Sequence, residues 1–306
     1  RSGLEHRWSV LPHAPGGGSA AEPGGFYGGE TLPGTAERMR MYGALAPDLS
    51  LRAIDDLGAD LSGVTHLVVA SCTGFVAPGV DQIIQRRLGL APDVERLLIG
   101  YMGCYAAAVA LRSARYIVRS EPRARVLVVT VELCSLHLHE MDEIEAMLAG
   151  LQFGDGAAAA LVTADEAGLA LGAPFSATLP ESNELIRWDI TDQGFVMALS
   201  GEVPGRIGTA LADPAMRERI VNGGVDRWAV HAGGRSILDA VETALQLPPD
   251  ALDDSRAVLR AYGNMSSSTL MFVLKRHLAR SGPGEQGVAI AFGPGLAAEG
   301  FRFEVV

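Results

Sequence analysis

Short apolar runs of strand length, at residues 65–71 (THLVVAS), 95–99 and 125–133, alternate along this chain with segments of helical periodicity at 80–88 and 104–119. The apolar strands lack a period-two alternation, which is the pattern of a sheet covered on both faces. Helices are expected at 35–46 and 48–58, after a Gly- and Pro-rich stretch at 13–33 that reads as loop. Residues 156–163 (GAAAALVT) and 169–175 read as antiparallel strands joined by a turn at 165–168. The second half echoes the first: a strand at 228–231, helices at 235–245, 255–263 and 266–279, then strands at 288–292 and 301–306. Alternating strands and helices in two halves that each close in strands predict an α/β architecture with internal duplication. The expected division is 1–164 and 165–306. The repeat lies in element order; no residue-level period accompanies it.

The length of 306 residues suits two such halves, and 48% hydrophobic against 20% charged residues permits a large core. Glycine, at 37 residues, is well above average usage, so tight turns and close backbone approaches are expected. The charge of −11 argues against a protein that coats nucleic acid, although a local basic patch could still serve an anionic small molecule. Arginine supplies nearly all the positive charge, since Lys275 is the only lysine. No apolar run reaches the roughly 18 residues of a membrane span. Three cysteines form no disulfide framework and point to reduced thiols. With no secretory signal ahead of Arg1, a cytoplasmic location is expected.

Three segments carry candidate chemistry. In GYMGCYAAA (100–108) a strand ends, a glycine allows a tight turn, and Cys104 opens a helix of small residues. A thiol at a helix N-terminus faces unpaired N–H groups, which lowers its pKa and favours a nucleophile; a buried structural cysteine is the alternative. In WAVHAGG (228–234), His231 ends a strand, and in YGNMSS (262–267), Asn264 sits in a Gly-flanked turn before a helix. Taken singly, these are a core histidine and a capping asparagine. All three sit at junctions between elements, where the sites of layered α/β folds collect, and together they make a thiol with two hydrogen-bonding partners.

The segments GYMGCYAAAVALR, FGDGAAAA (153–160), HAGGRSILD, YGNMSSSTL and AFGPG (291–295) resemble the signature segments of type III polyketide synthases, the chalcone and stilbene synthase superfamily, in its bacterial-type branch. The resemblance runs in order from about residue 2 to residue 306. Members usually begin several dozen residues earlier, so an N-terminal segment is expected to be missing here. The resemblance implies a thiolase-like fold, duplicated βαβαβ halves in a layered αβαβα arrangement, and a homodimer. It implies Cys104 as the nucleophile that carries the acyl chain, with His231 and Asn264 holding the thioester oxygen of malonyl-CoA during decarboxylation and condensation. Phe153 corresponds to a gate between CoA tunnel and cavity, and Gly293, Pro294 and Gly295 to the loop that shapes the cavity. CoA thioesters are then substrates, and neither a metal nor a redox cofactor is called for. The chemistry agrees: an enolate left by CO2 loss is stabilised by neutral donors aimed at its oxygen, and an aromatic gate keeps water out.

Some positions depart from the plant members. Cys134, in ELCSL (132–136), replaces the usual threonine, and Cys72 and Ser266 fall on the cavity wall as well. Trp188 stands where a glycine opens the plant cavity, Met197 replaces a second gating phenylalanine, and Ala77 replaces a methionine that reaches across the dimer. Arg7 and Ser236 are the candidates for CoA contacts; the lysines used nearby in plant members have no counterpart. HLHE (137–140) is read as a solvated or dimer-facing loop rather than a metal site, and the acidic run 140–145 as a solvated helix start. A ketoacyl-ACP synthase III-like enzyme shares the three site residues, but there HQAN and GNTS are usual where this chain has HAGG and GNMS. A papain-like protease, which places its cysteine near the mature N-terminus, and an inactive scaffold fit less well. The implied reaction is iterative condensation of malonyl-CoA onto an acyl-CoA starter, closing to an alkylpyrone or alkylresorcinol. The alternative is malonyl-CoA as its own starter, giving a tetrahydroxynaphthalene.

Overall fold

A computed structural model describes residues 3–140, 147, 150–221 and 223–306. Helix α1 (Thr35–Leu57) is continuous through Pro47 where two helices were expected. Proline removes one backbone hydrogen bond, but Tyr42, Ala46 and Ile54 on either side of it are all buried, and this shared face carries the helix through. There follow β1 (His66–Ser71), α2 (Val80–Leu88), β2 (Glu95–Gly100), α3 (Ala106–Ser120) and β3 (Val126–Leu133), close to their sequence-derived positions. A 3-10 turn (Cys134–His137) leads on towards β4 (Asp155–Val162).

Strands β1 and β2, and β1 and β3, are parallel, and β4 closes the sheet antiparallel to β3, in the order β2-β1-β3-β4. The second sheet has the order β5-β10-β9-β8, built from β5 (Leu169–Thr178), β8 (Arg227–Val230), β9 (Gln286–Gly293) and β10 (Ala297–Val305). Here β8 is parallel to β9, and β10 antiparallel to β9, which repeats the β1–β3–β4 run. The expected β4–β5 hairpin does not form, because β4 pairs with β3 and β5 with β10. The turn itself is present, but it crosses between sheets: Gly168, at φ 87°, exchanges backbone hydrogen bonds with Val306 instead of turning β5 back onto β4.

Successive strand residues face two cores. In β1, Val68 and Ala70 point to an inner layer while Leu67 and Val69 point outward, and β3 divides its valines the same way. The inner layer holds α3 and α8 (Ser267–Arg280) between the sheets. Outside the first sheet lies α1, and outside the second lie α4 (Val203–Ala212), α5 (Pro214–Val221), α6 (Arg235–Leu245) and α7 (Asp253–Tyr262). Two covered sheets and three helical layers make the thiolase-like αβαβα arrangement, and the double covering explains the missing period two. A separate hairpin, β6 (Ile186–Thr191) with β7 (Gly194–Leu199), was not foreseen, nor were α4 and α5. Among the described residues no helix is long and apolar enough to cross a membrane.

Candidate active site

The turn before α3 holds Cys104 against the second sheet. Tyr101 and Gly103 adopt left-handed φ values of 60° and 79°, so the chain reverses sharply after β2. Gly103 must also be small, since a Cβ there would lie 2.4 Å from Pro294 Cδ. Cys104 precedes the helix by two residues rather than opening it, and it is buried. Its pKa does not fall as expected. Burial pushes it up to about 11, against the downward pull of Ser266 and Asn264 beside the thiol. Burial also raises Cys72 and Cys134.

His231 follows β8 directly and is anchored through its backbone, its N–H donating to the carbonyl of Ile290 at 2.8 Å. Its ring is buried, and neither Nδ1 nor Nε2 has a hydrogen-bond partner among the described residues. Burial alone lowers its pKa to about 3, so the unliganded imidazole is neutral. Asn264 bridges to Phe153, its N–H donating to the Gln152 carbonyl at 2.8 Å and its own carbonyl accepting from Gly154 at 2.9 Å. The Ser266 N–H donates to Asn264 Oδ1 at 2.8 Å, which fixes the amide so that Nδ2 points to the Gly233 carbonyl, 3.2 Å away. One Nδ2 hydrogen remains for a further acceptor.

Cys104, His231 and Asn264 converge on a cavity of about 380 Å³. Its wall includes Phe153, Cys72, Cys134, Trp188, Met197 and Ser266. Gly293, Pro294 and Ser236 line it too, while Gly295 stands just beyond. Arg7 is not brought to this cavity. It is exposed, and its guanidinium donates to the carbonyls of Gly150 and Phe153, so in this structure it buttresses the loop that carries Phe153. His137 is buried rather than solvated, and the acidic run beyond Glu140 lies outside the described residues. Among the described residues no group of three or more His, Cys, Asp or Glu side chains is placed to hold a metal.

Sequence reasoning missed Glu132, a fully buried carboxylate behind the site. It accepts from the Cys72 N–H at 2.9 Å, the Thr73 hydroxyl at 2.9 Å, the Ser267 hydroxyl and the Cys72 thiol. Burial raises its pKa while these donors oppose the shift. The carboxylate thereby ties the end of β1 to the start of α8, one segment from each sheet's half. A glutamate inside the apolar run VLVVTVEL was the available signal, because a charge there needs partners.

The comparisons with known proteins agree with this geometry. The family model for chalcone and stilbene synthases, N-terminal domain, matches residues 37–166, and the C-terminal domain model matches residues 171–306. The chain is 34% identical over 277 residues to the alpha-pyrone synthesis polyketide synthase-like Pks18 of Mycobacterium tuberculosis, covering 86% of this chain and 70% of the relative. The C-terminal type III polyketide synthase domain of Steely1, a type I/III hybrid from Dictyostelium, superposes with a TM-score of 0.88 at 29% identity, covering 100% of this chain and 87% of that one. The 1,3,6,8-tetrahydroxynaphthalene synthase of Streptomyces coelicolor gives 0.82 at 30% identity, covering 90% and 82%. The chain therefore belongs to the chalcone and stilbene synthase family and is a type III polyketide synthase, an acyltransferase of the condensing kind. Enzymes of this family act on CoA thioesters.

Proposed function

We propose that Cys104 carries the growing acyl chain and that His231 and Asn264 hold the thioester oxygen of malonyl-CoA. The observation that carries this reading is the buried His231 ring, whose two nitrogens have no protein partner among the described residues although the ring borders the cavity. A buried polar group left unpaired costs about 1–3 kcal/mol, so a partner from the substrate is expected. One ring nitrogen removes the Cys104 proton, the thiolate attacks the starter thioester, and CoA leaves with that proton. Malonyl-CoA follows, its carbonyl oxygen accepting from the His231 N–H and the spare Asn264 Nδ2 hydrogen. Loss of CO2 leaves an enolate whose charge falls on that oxygen. Its carbon attacks the carbonyl carbon of the Cys104 thioester, and the C–S bond breaks to release the Cys104 thiolate. The extended chain, now on CoA, returns to Cys104 with release of that CoA before the next extension. Because His231 is held neutral and asparagine is always neutral, both donors serve without a competing charge in the site. The steps call for no metal or redox cofactor.

For the product, we favour an acyl-CoA starter and closure to an alkylpyrone or alkylresorcinol. Ile186, Trp188, Met197, Leu199, Val203 and Phe292 give the cavity an apolar wall suited to an alkyl chain, and a relative is named for alpha-pyrone synthesis. The similarity to the tetrahydroxynaphthalene synthase supports the second reading, malonyl-CoA as its own starter. A homodimer belongs to the same proposal. Edge strand β2 leaves Leu97 and Leu98 more than 40% exposed, Phe75 is exposed to the same degree, and Ala77, two residues after Phe75, is exposed as well. Three free thiols fit a reducing compartment such as the cytoplasm.

Intact-mass spectrometry tests the covalent step. Incubation with an acyl-CoA should add one acyl group to the wild-type chain and none to Cys104→Ala. Acylation of the variant would remove Cys104 from the role.

A further inference from the structure

Phe153 reaches the cavity from a tight turn. Its N–H donates to the Gly150 carbonyl at 3.3 Å, which closes residues 150–153, and the last two side chains of the turn, Gln152 and Phe153, line the cavity. Asn264 brackets Phe153 on one side, through its bonds to Gln152 and Gly154. A turn stays in place only as well as its neighbours hold it.

The N-terminal segment supplies a second hold. The Glu5 and His6 N–H groups both donate to the Arg260 carbonyl, at 2.9 and 3.1 Å, and the Trp8 indole donates to the Ala261 carbonyl at 3.0 Å. Beyond Arg7, the Trp8 carbonyl accepts from the Asp155 N–H at 2.8 Å, and the Val10 N–H donates to Asp155 Oδ2 at 2.9 Å. The Arg7 backbone is thus fixed on both sides, although its side chain is exposed. From that base Arg7 Nη1 donates to the Gly150 carbonyl at 3.3 Å and the Phe153 carbonyl at 3.4 Å, the first and last of the turn. A guanidinium strengthens such bonds by its charge, and the anchored backbone lowers the entropy lost in making them. The three segments meet at Gly263, whose φ is 74°. A Cβ there would lie 2.7 Å from the Gln152 carbonyl oxygen and 3.4 Å from Arg7 Cβ.

We propose that Arg7 is a positioning residue: by clamping both ends of the turn it keeps Phe153 at the cavity wall, and so keeps water from the enolate until it reaches the Cys104 thioester. The inference rests on the reading that malonyl-CoA is decarboxylated in this cavity. With the turn loose, the enolate carbon takes a proton from water and leaves as an acetyl thioester, instead of forming a bond to the acyl carbon on Cys104. An arginine that gripped the CoA phosphates would act on affinity instead.

The test compares wild type with Arg7→Met, which keeps the apolar stem and removes the donors. Acetyl thioester released per condensed product is measured with malonyl-CoA and with malonyl-pantetheine, which lacks the nucleotide and its phosphates. Hydrogen exchange of the peptide covering 150–155 is followed alongside. Arg7→Met should raise the acetyl-to-product ratio several-fold with both thioesters, leave the KM for malonyl-CoA nearly unchanged, and speed exchange at 150–155 but not in α3. A purely structural loss would speed exchange in both peptides and lower all turnover without shifting the ratio. That result, an unchanged ratio, or a loss seen only as a raised KM for malonyl-CoA overturns the proposal. Should Arg7→Met not fold, Arg7→Gln takes its place, since its shorter side chain cannot span both carbonyls, and it should shift the ratio the same way. If wild type makes no Cys104-dependent product, the functional reading fails, and the exchange measurement still decides whether Arg7 holds the turn.

Discussion

At Cys104 two physical effects oppose each other, and burial wins: without a proton acceptor the thiol titrates near 11, despite Ser266 and Asn264 beside it. Its reactivity at neutral pH must then come from pairing with His231, because a thiolate and an imidazolium formed together stabilise each other and draw both groups back towards neutral pH. The reactive form is the thiolate, so a raised pKa depletes it at neutral pH, and reactivity returns only as pH climbs towards that value. His231→Gln should slow iodoacetamide alkylation of Cys104 at neutral pH by at least about tenfold, with a rate rising roughly tenfold per pH unit. A variant with the wild-type pH profile would show that His231 does not activate the thiol. The candidate residues were legible because each stands at a strand end or turn marked by glycine. The thiol's environment was not, since the helix-start argument sees only N–H groups nearby and burial depends on residues distant in sequence.

Among the elements, the turn before α3 and the Gly-Pro-Gly loop are fitted to each other. Gly103→Ala strains a left-handed residue by about 1–2 kcal/mol and drives a Cβ into Pro294. Gly58, at φ 62° with open space around it, gives the control. Gly103→Ala should lower the Tm by more than Gly58→Ala and reduce condensation, and equal Tm losses would mean that the Pro294 contact carries no weight. Hairpin β6–β7 makes a separate prediction: Trp188→Gly should admit longer starters or further extensions, and an unchanged product spectrum would remove Trp188 from the working wall. Helices α2 and α6 were readable from periodicity, which is local. The partners of β4 and β5 were not, because strand pairing joins residues far apart in sequence, as β3 with β4 and β10 with β5. Buried His137 was hidden for the same reason, its contacts coming from residues 73, 188 and 195.

For the whole molecule, duplication brings the three site residues together. The second sheet repeats the parallel-then-antiparallel run of the first, and α3 and α8 lie face to face between them. That places the turn before α3, carrying Cys104, near the segment before α8, carrying Asn264. Element order alone showed the duplication, and the family resemblance supplied the layering that followed from it. Light scattering should give about twice the 32.1 kDa chain mass, and replacing Leu97 and Leu98 with lysine should lower it. A monomer in the unmutated protein would contradict the dimer.

The central claim is that this cavity condenses malonyl-CoA onto a starter held on Cys104. LC–MS of products formed from malonyl-CoA with acetyl-, hexanoyl-, long-chain and aromatic CoA starters tests it most directly. Pyrones or phenols should appear with at least one starter, the alkyl ones foremost, and be absent with Cys104→Ala. Products that persist in that variant, or none across the panel from a protein whose Cys104 is still alkylated, would contradict the account.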